Sequence, residues 1–182
     1  MIQTELDILR DVSLRLNSAG IAFMLTGSVA MNYYAQPRMT RDIDLVVAIT
    51  ALDAETIVSL FEPDYYVSPE AVADAISRRS VFNLIHHESV IKVDCIVLKN
   101  DPFRQEEFAG RREITLTDFQ TWIVSREDLI LSKLFWAKDS RSEVQLRDVR
   151  NLLTPECDMG YLESWALMLG VRDLLEEVSG KQ

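Results

Sequence analysis

Asp42 and Asp44 stand two residues apart in Asp42-Ile43-Asp44-Leu45-Val46-Val47, a β-branched run that predicts a strand. Side chains two apart on a strand share a face, so these carboxylates lie side by side. A divalent cation relieves the repulsion between them. Magnesium takes oxygen ligands, keeps several waters, and is held by one or two carboxylates plus substrate phosphates. A solvated strand edge would carry the same pair without any metal, so spacing alone leaves both readings open.

The flanking sequence narrows the choice. Upstream, IAFMLT (21–26) predicts a short buried strand ended by Gly27. Ser28 predicts the N-cap of a helix through VAMNYYA, stopped by Pro37. A strand that turns into a helix exposes backbone N–H groups and the positive end of the helix dipole, which suits phosphate. Gly27 permits close backbone approach and the Ser28 hydroxyl adds a donor; the plain alternative is a tight turn with a cap. Downstream, Asp94 lies within VIKVDCIVL (90–98). There Val90, Lys92, Asp94 and Ile96 fall on one face, and Ile91, Val93, Cys95 and Val97 on the other. Aspartate is disfavoured in strands, although an edge strand tolerates it. Three carboxylates on two strands, beside a phosphate-type turn, form a rarer combination than any one of them.

Other side chains carry weaker signals. Arg38 and Arg41 either partner the aspartates or contact phosphate or an acceptor. Adjacent strand residues face opposite ways, so His86 and His87 cannot chelate one ion together and read as structural or surface residues. Tyr33, Tyr34, Trp122 and Trp136 can stack a base or pack in a core.

The elements that must hold these groups read as follows. Helices are predicted over 3–19, 51–61 and from Pro69 through EAVADAISR, and a short one from Pro102. SVFNLIHHE (80–88) and VIKVDCIVL form a hairpin, and REITLT and TWIVS a strand pair. From Ser125 the chain reads as helical, which divides it into an α/β part (1–124) and a helical extension (125–182). The 182 residues suit one compact unit, with 48% hydrophobic and 26% charged residues. A net charge of −10 repels nucleic acid at long range and excludes a broad duplex-DNA-binding face. Two cysteines make no disulfide framework or zinc spacing, no apolar run reaches eighteen residues, and the N-terminus lacks a signal pattern. The expectation is a cytoplasmic protein with no membrane segment.

Leu25-Thr26-Gly27-Ser28, thirteen residues, then Asp42-Ile43-Asp44-Leu45 resembles the signature of the nucleotidyltransferase superfamily, shared by DNA polymerase beta and the minimal nucleotidyltransferases. Arg38-Met39-Thr40-Arg41 looks like the lead-in found in bacterial abortive-infection and related nucleotidyltransferase-like proteins. Arg126 to Leu134, followed by Leu146-Arg147-Asp148-Val149, is similar to that group's later helices. The resemblance implies an α+β (α/β) fold: a mixed twisted sheet of about five strands with packed helices, then a helical C-terminal part. It implies magnesium or manganese on Asp42, Asp44 and Asp94, with Asp94 also orienting or deprotonating the nucleophile. Gly27 and Ser28 would hold the β- and γ-phosphates of a nucleoside triphosphate such as ATP. Arg41 would contact nucleotide, and Lys133 would reach the triphosphate as a mobile charge. Asp148 would lie at the site's rim, and Arg38 and Thr40 would join the site through the lead-in to Asp42. The implied activity is transfer of a nucleoside monophosphate to a hydroxyl of RNA, protein or a small molecule. The alternative is a binding protein on the same fold, such as the antitoxin half of a two-component module. Either a homodimer or a hetero-complex is compatible with it.

Overall fold

A computed structural model describes residues 4–37, 39–40 and 42–180. Arg38 and Arg41 therefore lie outside the described residues. The chain opens with α1 (Glu5–Ser18), then β1 (Phe23–Thr26), α2 (Gly27–Tyr34) and β2 (Asp42–Val47). A 3-10 turn (Ala51–Asp53) leads into α3 (Ala54–Phe61), β3 (Tyr65–Tyr66), α4 (Pro69–Arg78), and the β4 (Val81–His86) and β5 (Lys92–Val97) hairpin. Then come α5 (Pro102–Ala109), β6 (Arg112–Leu116) and β7 (Phe119–Ile123). The helices α6 (Arg126–Ser140), α7 (Glu143–Leu152), α8 (Met159–Leu169) and α9 (Arg172–Ser179) complete it.

The local chemistry explains where the helices start. Ser68 and Asp101 accept amide bonds at the starts of α4 and α5, and each of these helices carries proline in its first turn, where no N–H is needed. Ser125 caps α6 in the same way, accepting the Asp128 amide.

Seven strands form one mixed sheet, in the order β3-β4-β5-β2-β1-β7-β6. The fold class is the expected one, but the sheet is wider than about five strands. One added strand is β3, whose Tyr65 and Tyr66 pair with His86 and Ile85. Two residues are too few to show a period of two, so only the register reveals them.

The two faces of the sheet differ. Ile43, Leu45 and Val47 of β2, with Val93, Cys95 and Val97 of β5, point to a fully buried face. Helix α1 lies against that face, where Ser13 bonds Thr121 of β7 at 2.9 Å. Asp42, Asp44, Lys92 and Asp94 project from the opposite face, which stays partly open beside α2. Helix α6 packs on α2, α7 and α8 and is buried along most of its length. That burial explains why its sequence shows little amphipathic contrast. Among the described residues, no helix is long and apolar enough to cross a membrane.

Candidate active site

The central strands bring the three carboxylates together. β1 runs antiparallel to β2 and sets Thr26 opposite Asp44. β2 runs parallel to β5 and sets Asp44 opposite Asp94, with Asp42 opposite Lys92. Adjacent strands lie about 4.8 Å apart, so Asp44 and Asp94 are immediate neighbours on one face.

The turn after β1 is built around Asp44. Gly27 has φ +66°, a conformation that side chains oppose, and a Cβ there would fall 2.0 Å from Asp44 Oδ2. Only glycine leaves the carboxylate its place. Asp44 accepts the Ser28 backbone N–H. The sequence predicts Ser28 as the N-cap of α2, yet the helix begins one residue earlier and Thr26 is the cap residue, with no side-chain cap bond. Asp44 supplies the missing acceptor from the neighbouring strand, a long-range contact that a local pattern does not contain. The positive end of α2 thus faces the carboxylate cluster.

Burial, foremost, and then the charges of Asp94 and Asp42 push the Asp44 carboxyl from 3.8 up to about 6. The Ser28 amide and Lys92 oppose that rise without cancelling it. Lys92 Nζ lies 3.0 Å from Asp94 and 3.8 Å from Asp42. Its bond to Asp94 is the main cause that raises its own affinity for a proton. Asn83, opposite Asp94 across the hairpin, donates a second hydrogen bond to that carboxylate. Asp94 is thereby oriented from two sides.

Lys92 and Asn83 are the site residues that sequence reasoning missed. The period of two already put Lys92 on the face of Asp94, and that was an available signal. Asn83 depends on the hairpin register, which no residue pattern states. Among the described residues, no group of three His, Cys, Asp or Glu side chains already converges on one point. Asp42 and Asp94 instead share Lys92, while Asp44 is turned to the α2 amide.

The outlying candidates separate. Thr40 is half-buried, and its hydroxyl donates a 3.4 Å bond to the Asp42 carbonyl. Lys133 is 1% exposed and pairs with Asp148, also 1% exposed, at 2.8 Å; Gln145 accepts a further bond at 3.3 Å. A mobile lysine reaching out to phosphate is therefore not what α6 carries. Asp148 likewise is interior, not a rim residue. Both differences have one cause: α6 and α7 pack face to face, and a helix period cannot show which polar side chain meets its partner inside that contact. Trp122 stacks beneath Arg111, 5.0 Å from ring centroid to guanidinium. His86 is buried edge-on against Tyr65, in keeping with a structural role.

No family model matches this sequence, and no curated protein matches it. Solved structures do. The antibiotic-resistance factor ANT(2'')-Ia, in complex with adenylyl-2''-tobramycin, superposes with a TM-score of 0.65 at 12% identity, over 94% of this chain and 99% of that one. The lincosamide antibiotic adenylyltransferase LnuA, lincomycin-bound, gives 0.56 at 16% identity, over 84% and 98%. An antigenic nucleotidyltransferase-like protein from Paracoccidioides brasiliensis gives 0.58 at 17% identity, over 96% and 91%. At these identities the likeness is one of architecture, and it agrees with the strand order and the helix after β1: the chain has the fold of the nucleotidyltransferase superfamily.

Proposed function

We propose that the protein is a metal-dependent nucleotidyltransferase, which moves a nucleoside monophosphate from a nucleoside triphosphate to a hydroxyl acceptor. One observation carries this reading. Asp42, Asp44 and Asp94 lie on one open face, beside the start of α2, with a single ammonium among the described residues to balance them. The donor set is all carboxylate oxygen, which suits magnesium or manganese. The raised Asp44 carboxyl supports the same reading, because burial, foremost, and two neighbouring carboxylates perturb it together in one cleft. A divalent ion bound there would neutralise charge on the triphosphate and on the attacking oxygen.

The protein's own groups do the positioning. The α2 N-terminus and the Ser28 hydroxyl are suited to hold the β- and γ-phosphates, with Gly27 letting the backbone approach. Arg41, with Arg38 and Thr40, is assigned to the nucleotide side. Asp94, held by Asn83 and Lys92, would orient the acceptor hydroxyl and accept its proton. The acceptor oxygen bonds to the α-phosphorus, the bond to the β-phosphate oxygen breaks, and pyrophosphate leaves. Such transfer needs positioning and charge stabilisation more than covalent help. Lys133 and Asp148 serve by fixing α6 against α7.

The test is calorimetry with magnesium and each nucleoside triphosphate, followed by label transfer. The wild type should bind both ligands. Asp42→Ala/Asp44→Ala should lose at least about a hundredfold in transfer and keep its circular dichroism. A wild type that binds neither magnesium nor nucleotide sinks the proposal.

A further inference from the structure

A cavity of about 620 Å³ opens between α5, α6 and α8, and the chemistry described above does not use it. Its volume lies within the range of small-molecule sites. Phe103, Phe135, Trp136, Trp165 and Met168 line it. Phe135, Trp136 and Met168 are 42%, 40% and 65% exposed, so large apolar side chains are left facing water at its mouth.

Its basic lining is Lys99 and Arg104, with Asp101 beside them, and the arginine is not arranged to capture phosphate. The Arg104 guanidinium is fixed by Glu107 at 2.8 Å and by Ser132 at 2.6 Å. It lies 5.1 Å from the Phe103 ring centroid and 5.7 Å from that of Phe135. It forms part of a rigid aromatic surface, with its charge matched by a buried carboxylate. Nucleic acid is disfavoured here by the net charge of −10.

The cavity continues towards the carboxylates. Lys99, Arg104 and Trp136 line it and also line a narrow neck of about 80 Å³. The neck's other residues include Thr26, Val46 and Ile96. Thr26 pairs with Asp44, while Val46 and Ile96 follow Asp44 and Asp94 by two residues. Each is thus on the same face, roughly 7 Å along its strand. Lys99 continues the chain of β5, the strand that carries Asp94. A wide apolar chamber therefore narrows towards Val46 and Ile96, on the face that carries Asp44 and Asp94.

We infer that this chamber and neck form the acceptor site, and that the acceptor is a small elongated molecule. Its aromatic or apolar body fills the chamber, and a terminal hydroxyl passes through the neck to Asp94. This inference rests on the transferase reading and names its substrate class.

Three tryptophans are present, so Trp122→Phe leaves Trp136 and Trp165, both at the chamber, as fluorescence reporters. Phenylbutanol, biphenylmethanol and naphthylethanol are the probes, each titrated without nucleotide. At least one should shift the emission saturably, and with magnesium and nucleoside triphosphate it should become labelled. Met168→Glu, on the exposed side of α8, should weaken that binding at least about tenfold. It should leave circular dichroism and magnesium–nucleotide affinity unchanged; Phe135→Ala is the second variant. Failure of all three alcohols to bind overturns the inference. So does an equal loss of nucleotide affinity in Met168→Glu, which would make the chamber a base pocket. A short RNA oligonucleotide labelled equally well by wild type and Met168→Glu overturns it too. Collapse of the transferase reading would appear separately, as no magnesium–nucleotide binding beside intact alcohol binding.

Discussion

Asp42 and Asp94 share Lys92 beside Asp44 on the open face of the sheet, whereas Asp148 and Lys133 meet between α6 and α7. The same two residue types serve opposite ends in these places. In the helical contact the charges are matched and both side chains are 1% exposed, so the pair is committed to structure. A buried pair of this kind is costly to break because either partner left alone is a dehydrated charge. At the sheet three carboxylates face one ammonium among the described residues, and water reaches them. Among them, Asp44 feels burial, foremost, and the charges of Asp94 and Asp42, which together push its carboxyl up to about 6. The contrast lies in access: the interior pair is shut away from solvent, while the carboxylate face is open to a ligand.

Breaking the interior pair should have the largest effect. Lys133→Ala should lower unfolding free energy by about 3–5 kcal/mol in urea titrations, and Lys133→Met/Asp148→Leu should recover most of it. A loss below about 1 kcal/mol would show that the pair is not the structural tie described here.

Asp44 sets the next effect, and its sign follows from the raised carboxyl. The folded state holds this proton more tightly than the unfolded chain, so the contribution is present below about pH 4 and lost as pH rises through about 6. In EDTA the wild type should lose up to about 3 kcal/mol across that window on this account. Asp44→Asn should remove this part of the pH dependence and be the more stable protein at pH 7, while losing transfer. Parallel stability–pH curves for the two proteins would contradict the raised Asp44 carboxyl.

Lys92→Met should have the smallest effect on stability, under about 1 kcal/mol, because its pairs are partly exposed. Its sharper readout is metal affinity. Without the ammonium, magnesium alone should bind several-fold more tightly by calorimetry, since the two cations compete for Asp42 and Asp94. Weaker binding would instead make Lys92 a support for the metal site.

Much of this is legible in the residue order. Strand periodicity put Asp42 with Asp44 and Lys92 with Asp94, and proline and small polar residues marked the starts of α4 and α5. The Gly27-Ser28 turn was visible as a break between an apolar run and a helix. The reading went astray where a partner comes from far along the chain. Ser28 was expected to cap α2, but Asp44 does so from the next strand. Lys133 was expected to be mobile, but α7 brings Asp148 to it. β3 was too short to carry a pattern.

Residue order by itself determined which side chains share a face, because backbone geometry gives each element a fixed period. It also determined the acidic balance of the chain and the glycine that lets a turn approach a carboxylate. Only the tertiary structure decided that β5 lies beside β2 in the register that sets Asp94 against Asp44. It alone decided that Asn83 and Lys92 orient Asp94, and that an aromatic chamber opens onto the same face. Strand pairing and helix packing are contacts between distant segments, and their register is settled by burying one face of the whole sheet at once.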